Sequence, residues 1–513
     1  NFDWDGNGAS DTTVNGSAKL TLNVNQVDTG DNVFGGTLTL GSNADAEINV
    51  AATSWTMGGT LLKNGSGVSN VTGDDVTVTG SVDVESGTLF LQRAFLTASA
   101  NANVDGFLIL GTGSQLSGPA SLAGGGTLGM DGGSTTTADT TVNVNTFDWD
   151  GVSVGGSHSI NAGVTLTINS PNFDDDGAMD DSVSLIGAGS QLVVNGPPQW
   201  IMRSALNANT SGLGVAKIGG TSRMVLRGAN AVLNVDGTVV AGGPVTFGEE
   251  STTAINAGTT LRVEGGNTTD VLNRIAGGTV NGPGLFAASA GAALHGFGTI
   301  NSIVDFNGAS DLLADNGVLT INGAIADVGR IGTADVDGIL NVTNAWNTNV
   351  ATFVELRGGT LQGGTVTILN TNGLTGFGLV TARVVNNRLI RAGDDSLVLE
   401  TSSNDNDWDG VADDGLLLTG AHTLELRDNS PFAFGGHVLL LDGGRVFANG
   451  FALNFNSGAQ LSYRSGGVYE STSSTEFGGL LATDAGPVST LKVADNSFLT
   501  FKSTARATLV GDL

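Results

Sequence analysis

The sequence contains no cysteine. That removes disulfides, thiolate metal sites and cysteine catalysis together, so packing alone must hold the fold. Proline is scarce at 8 residues, while glycine reaches 80 of 513 with no Gly-X-Y period and 40% of the residues are apolar. Collagen is thereby excluded, and a flexible linker is not expected. Basic residues are few: Lys and Arg number 20 against 49 Asp and Glu, for a net charge of −29. Nucleic acid and anionic membranes require a basic surface, so neither is an expected partner, whereas divalent cations are compatible. Glu is itself rare, 10 residues against 39 Asp, which favours turns over helix interiors. No apolar run approaches the ~18 residues of a membrane helix, and membrane insertion of this segment is not expected. The chain begins at Asn1 without a basic-then-apolar leader, as expected if an export signal has been removed or if the chain is a segment of something longer.

What fills the sequence is repetition. The box Asn1-Phe2-Asp3-Trp4-Asp5-Gly6 returns as Thr146-Phe147-Asp148-Trp149-Asp150-Gly151 and as Asn406-Asp407-Trp408-Asp409-Gly410. Trp55-Thr56-Met57 returns 145 residues on as Trp200-Ile201-Met202, the same offset as Trp4 to Trp149. Phe34-Gly35-Gly36-Thr37 follows the first box, and Phe434-Gly435-Gly436-His437 follows the third with a shorter lead. No composition shift or proline-rich linker divides the chain, so the expectation is one continuous body with sequence units of about 1–145, 146–290, 291–400 and 401–513.

The local pattern is a short alternating apolar run bounded by Gly, Asn or Asp, the mark of strands joined by tight turns. In Leu20-Thr21-Leu22-Asn23-Val24 the apolar residues share one face, and Asn161-Ala162-Gly163-Val164-Thr165-Leu166 and Asn256-Ala257-Gly258-Thr259-Thr260-Leu261 add the turn that precedes such a strand. Gly-Thr-Leu recurs at Gly36, Gly59, Gly87, Gly126 and Gly359, the first two 23 residues apart. Leu294-His295-Gly296-Phe297-Gly298 is matched by Leu374-Thr375-Gly376-Phe377-Gly378. Turns this tight leave no room for crossover helices, so parallel pairing requires a coil that lays each strand beside its counterpart one turn earlier. The fold class expected is all-β, a right-handed parallel β-helix (β-solenoid) with three-sided coils, of roughly 22 coils at ~23 residues each.

These segments, the Asn-Ala-Gly-x-Thr-Leu turns, the Gly-Gly-Thr-Leu repeats and the Leu-x-Gly-Phe-Gly elements, resemble those of bacterial cell-surface β-solenoids such as autotransporter passengers and large adhesins. The resemblance implies an extracellular location at the bacterial cell surface and a role in adhesion, surface coating or biofilm matrix. It transfers no catalytic residues, and this segment carries no autotransporter β-barrel.

The Asp-rich boxes admit two readings. Alternating oxygen ligands followed by glycine form the front half of a calcium loop, and the candidates are Asn1, Asp3, Asp5, Asp148, Asp150, Asn172, Asp174, Asp176, Asp180, Asp405, Asp407, Asp409 and Asp413. The bidentate Glu of an EF-hand is missing from every copy, so an EF-hand is rejected. In the other reading the same residues are Asx-turns capping their own backbone, with Trp covering the coil edge. Calcium is the one cofactor considered; no organic cofactor is expected.

The tryptophans could stack on sugars, but their matched repeat positions favour packing. Glu249 and Glu250 are adjacent and would point to opposite strand faces, so they make no hydrolase pair. Arg383, Arg388 and Arg391, with Asp394 and Asp395, form the densest basic cluster, which is more often solvated or ion-paired than catalytic. The four histidines show neither metal spacing nor a triad partner and read as turn or surface residues. No enzyme activity is expected. The apolar, β-prone terminal segments Leu499-Thr500-Phe501 and Ala507-Thr508-Leu509-Val510 read as uncapped, as expected if the chain continues beyond this segment or if the end of one copy docks onto the beginning of the next. The function expected is therefore structural: a fibre, sheath or biofilm matrix built by head-to-tail stacking of copies. A monomeric adhesin or carbohydrate-binding stalk that meets polysaccharide or a neighbouring cell is the alternative, and a polysaccharide lyase or hydrolase the third.

Overall fold

From residue 55 onwards the computed structural model describes every residue except 74, 149–155, 175–180, 198, 203–204, 210–214, 265–271, 401–405 and 511–513. Before that it describes the strand segments Phe2–Asp3, Lys19–Leu22, Gln26–Thr29, Val33–Phe34, Thr37–Leu40 and Ala46–Val50. Among the described residues the strand pairs are parallel, as in the columns set out below, and the helical content is one 3-10 turn, Thr348–Val350. The chain is a parallel β-solenoid of about 19 turns, fewer than the roughly 22 the sequence spacing implied, and its coil length varies. Leu374 pairs with Ile390 after 16 residues, and Leu389 with Leu416 after 27. Two compact units are formed, Asn1–Gly265 and Gly266–Leu513.

In the first unit three strands make a turn. Trp55–Met57, Val76–Val78 and Ala94–Leu96 stack in one column. Thr60–Lys63, Ser81–Val84 and Asn101–Val104 stack in a second, and Val68–Gly73, Thr88–Leu91 and Phe107–Leu110 in a third. Alternate residues point inward, so Leu61, Val82, Val84, Leu89, Leu91, Val104 and Leu108 are fully buried between successive coils. Each such side chain contributes roughly 1.5–3 kcal/mol of burial. The turn before a strand explains the Asn-Ala-Gly signature: Val164 N–H donates to Asn161 O at 3.1 Å while Gly163 takes φ +71°, a backbone state that favours glycine at the third turn position. Outward asparagines stack in register, Asn169 donating to Asn143 at 2.9 Å and Asn195 to Asn169 at 3.1 Å.

The second unit uses longer strands that run along two faces without a break, among them Asn273–Asn281, Ala293–Ile300, Ala351–Gly363 and Leu374–Val380. Their bends fall at the glycine motifs. Arg357 pairs with Phe377 and Thr360 with Leu379, so Gly358-Gly359 of one coil lies over Gly376-Phe377-Gly378 of the next, with a register shift between them. A Cβ at Gly376, where φ is +111°, would fall 1.9 Å from Leu356 O. The Gly-Gly-Thr and Leu-x-Gly-Phe-Gly repeats are thus one corner seen in successive coils. Towards the end of this unit Phe434, Phe455, Phe477 and Phe501 form a column with ring centroids 4.9–5.9 Å apart.

Candidate functional site

The third box is the best described of the calcium candidates. It joins the solenoid at one rung, where Asp407 N–H donates to Val384 O at 2.9 Å and Asn386 N–H to Asp407 O at 2.8 Å. Trp408 is fully buried and its carbonyl accepts from Asn386 Nδ2 at 2.9 Å. Gly410, at φ +75°, lies so close to Asn386 O that a Cβ would come within 2.5 Å. Asp409 is buried, and its Oδ2 accepts from the Gly435 N–H one coil on. Burial pushes the Asp409 carboxyl up to about 7, and a hydrogen bond with the Asp407 carboxyl acts in the same direction. Asp413, at φ +54°, packs on the same place, since a Cβ at Gly435 would lie 2.6 Å from its Cγ and one at Gly436 3.1 Å from Asp409 Cβ. The Phe-Gly-Gly element follows the box because its glycines make room for these aspartates.

Asp407 and Asp409 are hard oxygen donors of the kind calcium takes. Two carboxyls in contact need either a proton or a cation between them. Asp405 lies outside the described residues, and among those described no three His, Asp or Glu side chains gather round one point. The bond from Gly435 to Asp409 comes from the backbone one coil on, not from the box's own backbone as an Asx-turn would have it.

The second box and its relative are brought together: Thr146 pairs with Asn172, Phe147 with Phe173 and Asp148 with Asp174 on adjacent rungs. The rings of Phe147, Phe173 and Trp200 follow at 5.5 and 5.3 Å. Asn172 is exposed and donates to Asn145 O at 3.3 Å. Asp150, Asp176 and Asp180 and the Asp174 side chain lie outside the described residues, as do Asn1, Asp5 and the side chain of Asp3, whose backbone pairs with Asp28.

Trp200 and Trp408 are buried, which fits packing and withholds them from a glycan. Sequence reasoning misplaced His158. It sits in the core of the first unit, its Nδ1 2.7 Å from Ser134 Oγ and its Nε2 3.0 Å from Thr136 Oγ1, and burial pushes it down to about 3. Ser134 Oγ donates to Asp131 O at 2.7 Å, so Nδ1–H donates to Ser134 and Nε2 accepts from Thr136. The three residues resemble a catalytic set but are sealed from substrate. Glu249 and Glu250 occupy an exposed turn, Glu250 at φ +62°, and not a strand.

The basic cluster lies differently from its sequence neighbours. Arg391 pairs in register with Thr375, and Thr375 with Glu355, which places Arg391 on a groove of about 450 Å³ on the outer surface of the second unit. Arg330 and Phe353, adjacent on paired strands, form another part of the wall. Arg330 holds Glu355 at 3.2 Å, and Arg357 holds the same carboxylate at 3.1 Å. Asp394, at φ +66°, lies at the Arg391 end, its N–H donating to His422 Nε2 at 3.2 Å.

The fold and these surfaces define the protein as a parallel β-solenoid that carries, among its described residues, an acidic pair with Asp409 buried and a charged outer groove. Compared with known protein families, curated proteins and solved structures, the chain matches none.

Proposed function

We propose that the protein is a structural β-solenoid of the bacterial cell surface, without enzymatic activity, whose copies stack coil on coil into a fibre, sheath or biofilm matrix. The observation that supports this reading is the open rung of the second unit. Leu499–Phe501 pairs with Thr475–Phe477 on one side and with no strand on the other among the described residues. Phe501 ends the phenyl column 53% exposed, and Phe498 and Val510 in the same terminal stretch are 74% and 66% exposed. Unpaired strand groups next to uncovered apolar side chains are a template for one further coil. That coil can be supplied by further residues of the same chain or by a second copy, and a second copy gives a heterologous contact, which propagates. Electron microscopy of the purified protein over a range of concentrations, with and without calcium, should show linear arrays; isolated particles under every condition would refute the assembly.

Calcium at the third box belongs to the same proposal. The ion would be held by Asp407 and Asp409, joining the box to the coil that carries Gly435.

A further inference from the structure

We infer that the outer groove of the second unit binds an acidic saccharide, an oligosaccharide whose sugar rings carry isolated carboxylates. The site does not depend on fibre assembly. The groove crosses four successive rungs, from Arg330 through Glu355 and Thr375 to Arg391, and at ~4.8 Å per rung the backbones that carry its two arginines lie about 14 Å apart along the stack. That is the length of a short oligosaccharide laid across the strands.

The two arginines differ. Arg330 is engaged with Glu355 at 3.2 Å and faces Asp311 at 3.9 Å, so its charge is already balanced. Arg391 is exposed and has no carboxylate partner among the described residues, although Asp394 lies three residues on. A guanidinium with a free fork takes a carboxylate in two parallel hydrogen bonds. Phe353 supplies the second element of recognition. It is 44% exposed beside Arg330, in a groove whose other large apolar side chain is Leu389, and it offers a flat apolar surface of the kind that covers the C–H face of a sugar ring. The third element is hydroxyl recognition. Asn372 spends its Nδ2 on Thr352 O at 2.8 Å, which leaves its Oδ1 as an acceptor, and the carboxylates of Glu355 and Asp394 are acceptors as well. Such a wall suits a ligand rich in O–H donors.

The same wall excludes denser anions. A phosphate polymer would bring charge against Glu355 and Asp394 on a chain of net charge −29, with one unbalanced arginine to attract it. A saccharide with one carboxylate among several hydroxyls matches one guanidinium among several acceptors. An acidic peptide offers carboxylates but few hydroxyls, and is the competitor the test must separate.

Isothermal titration of the full chain with oligogalacturonates of a few rings, with the corresponding neutral oligosaccharides and with an Asp-rich peptide decides among them. The acidic saccharide should bind, the neutral one at least tenfold more weakly, and added salt should weaken the complex. Arg391→Gln and Phe353→Ala should each raise Kd tenfold or more while melting as the parent does; Arg227→Gln, an exposed arginine of the first unit, should change nothing. Absence of saccharide binding, equal binding of the peptide, or indifference to both groove substitutions would each overturn the assignment.

Discussion

At the scale of the residue, two buried titratable groups set opposite responses to pH. His158 is neutral in the folded chain because burial disfavours the cation, and its Nε2 lies 3.0 Å from Thr136 Oγ1. Its folded pKa of about 3 lies below the value for an exposed imidazole. The unfolded chain therefore binds the extra proton first, and the stability held by His158 is complete above about pH 6.5 and drains towards pH 3 at about 1.4 kcal/mol per unit. His158→Asn should cost about 1–3 kcal/mol at pH 7 through lost hydrogen bonds and packing. That penalty should shrink or invert at pH 4, as read from denaturant melts at the two pH values; an equal penalty at both would show that the imidazole does not titrate this way. Asp409 acts in the other direction. Raised to about 7 chiefly by burial, it favours the folded state fully below the ordinary carboxylate range and loses that advantage as pH rises through 7. Asp409→Asn keeps an acceptor for Gly435 and supplies a donor to Asp407, so it should raise the melting temperature at pH 8 and leave it unchanged at pH 4. If calcium occupies the pair, chelator should lower the parent's melting temperature at pH 8 and leave that of Asp409→Asn where it was.

At the scale of the element, glycines in similar backbone states carry unequal constraints. Gly163 and Gly376 both have positive φ, yet a Cβ at Gly163 meets nothing within 4 Å whereas one at Gly376 strikes Leu356 O at 1.9 Å. Gly163→Ala should therefore cost only the left-handed strain, about 1–2 kcal/mol. Gly376→Ala must push two rungs apart and should cost about 3 kcal/mol or more, with loss of cooperative melting of the second unit. Urea melts of the two variants side by side provide the measurement. Both motifs stood out in the sequence, but the difference between them depends on the neighbouring rung, which the local pattern does not contain.

At the scale of the whole molecule, parallel stacking means that each coil completes the one before it and leaves the same surface open again. The column from Phe434 to Phe501 makes this concrete, each ring covering the next until Phe501. Phe501→Glu sets a charge where a following coil would lay its apolar face. Under the stacking proposal it should abolish linear arrays and reduce the sedimenting species to a single small one, while melting of the chain stays within about 1 kcal/mol of the parent because the site is already exposed. Arrays that persist in this variant would move the contact elsewhere.

Much of the architecture was legible in the residues. Period-two alternation gives strands, Asn-x-Gly gives the turn whose third residue must accept positive φ, and turns too short for a crossover helix leave a coil as the way to parallel pairing. The sequence also marked the glycine corners and the aspartate boxes as repeats. It could not say which residues meet, because coils of 16 to 27 residues break any fixed offset between sequence distance and rung. Stacking brought Asp148 beside Asp174, seated Asp409 against Gly435 and sealed His158 in the core. It also placed Arg330 and Arg391 on one groove, though 61 positions separate them in the chain. A strand's own pattern fixes which side chains face inward; only the register between coils determines what they face.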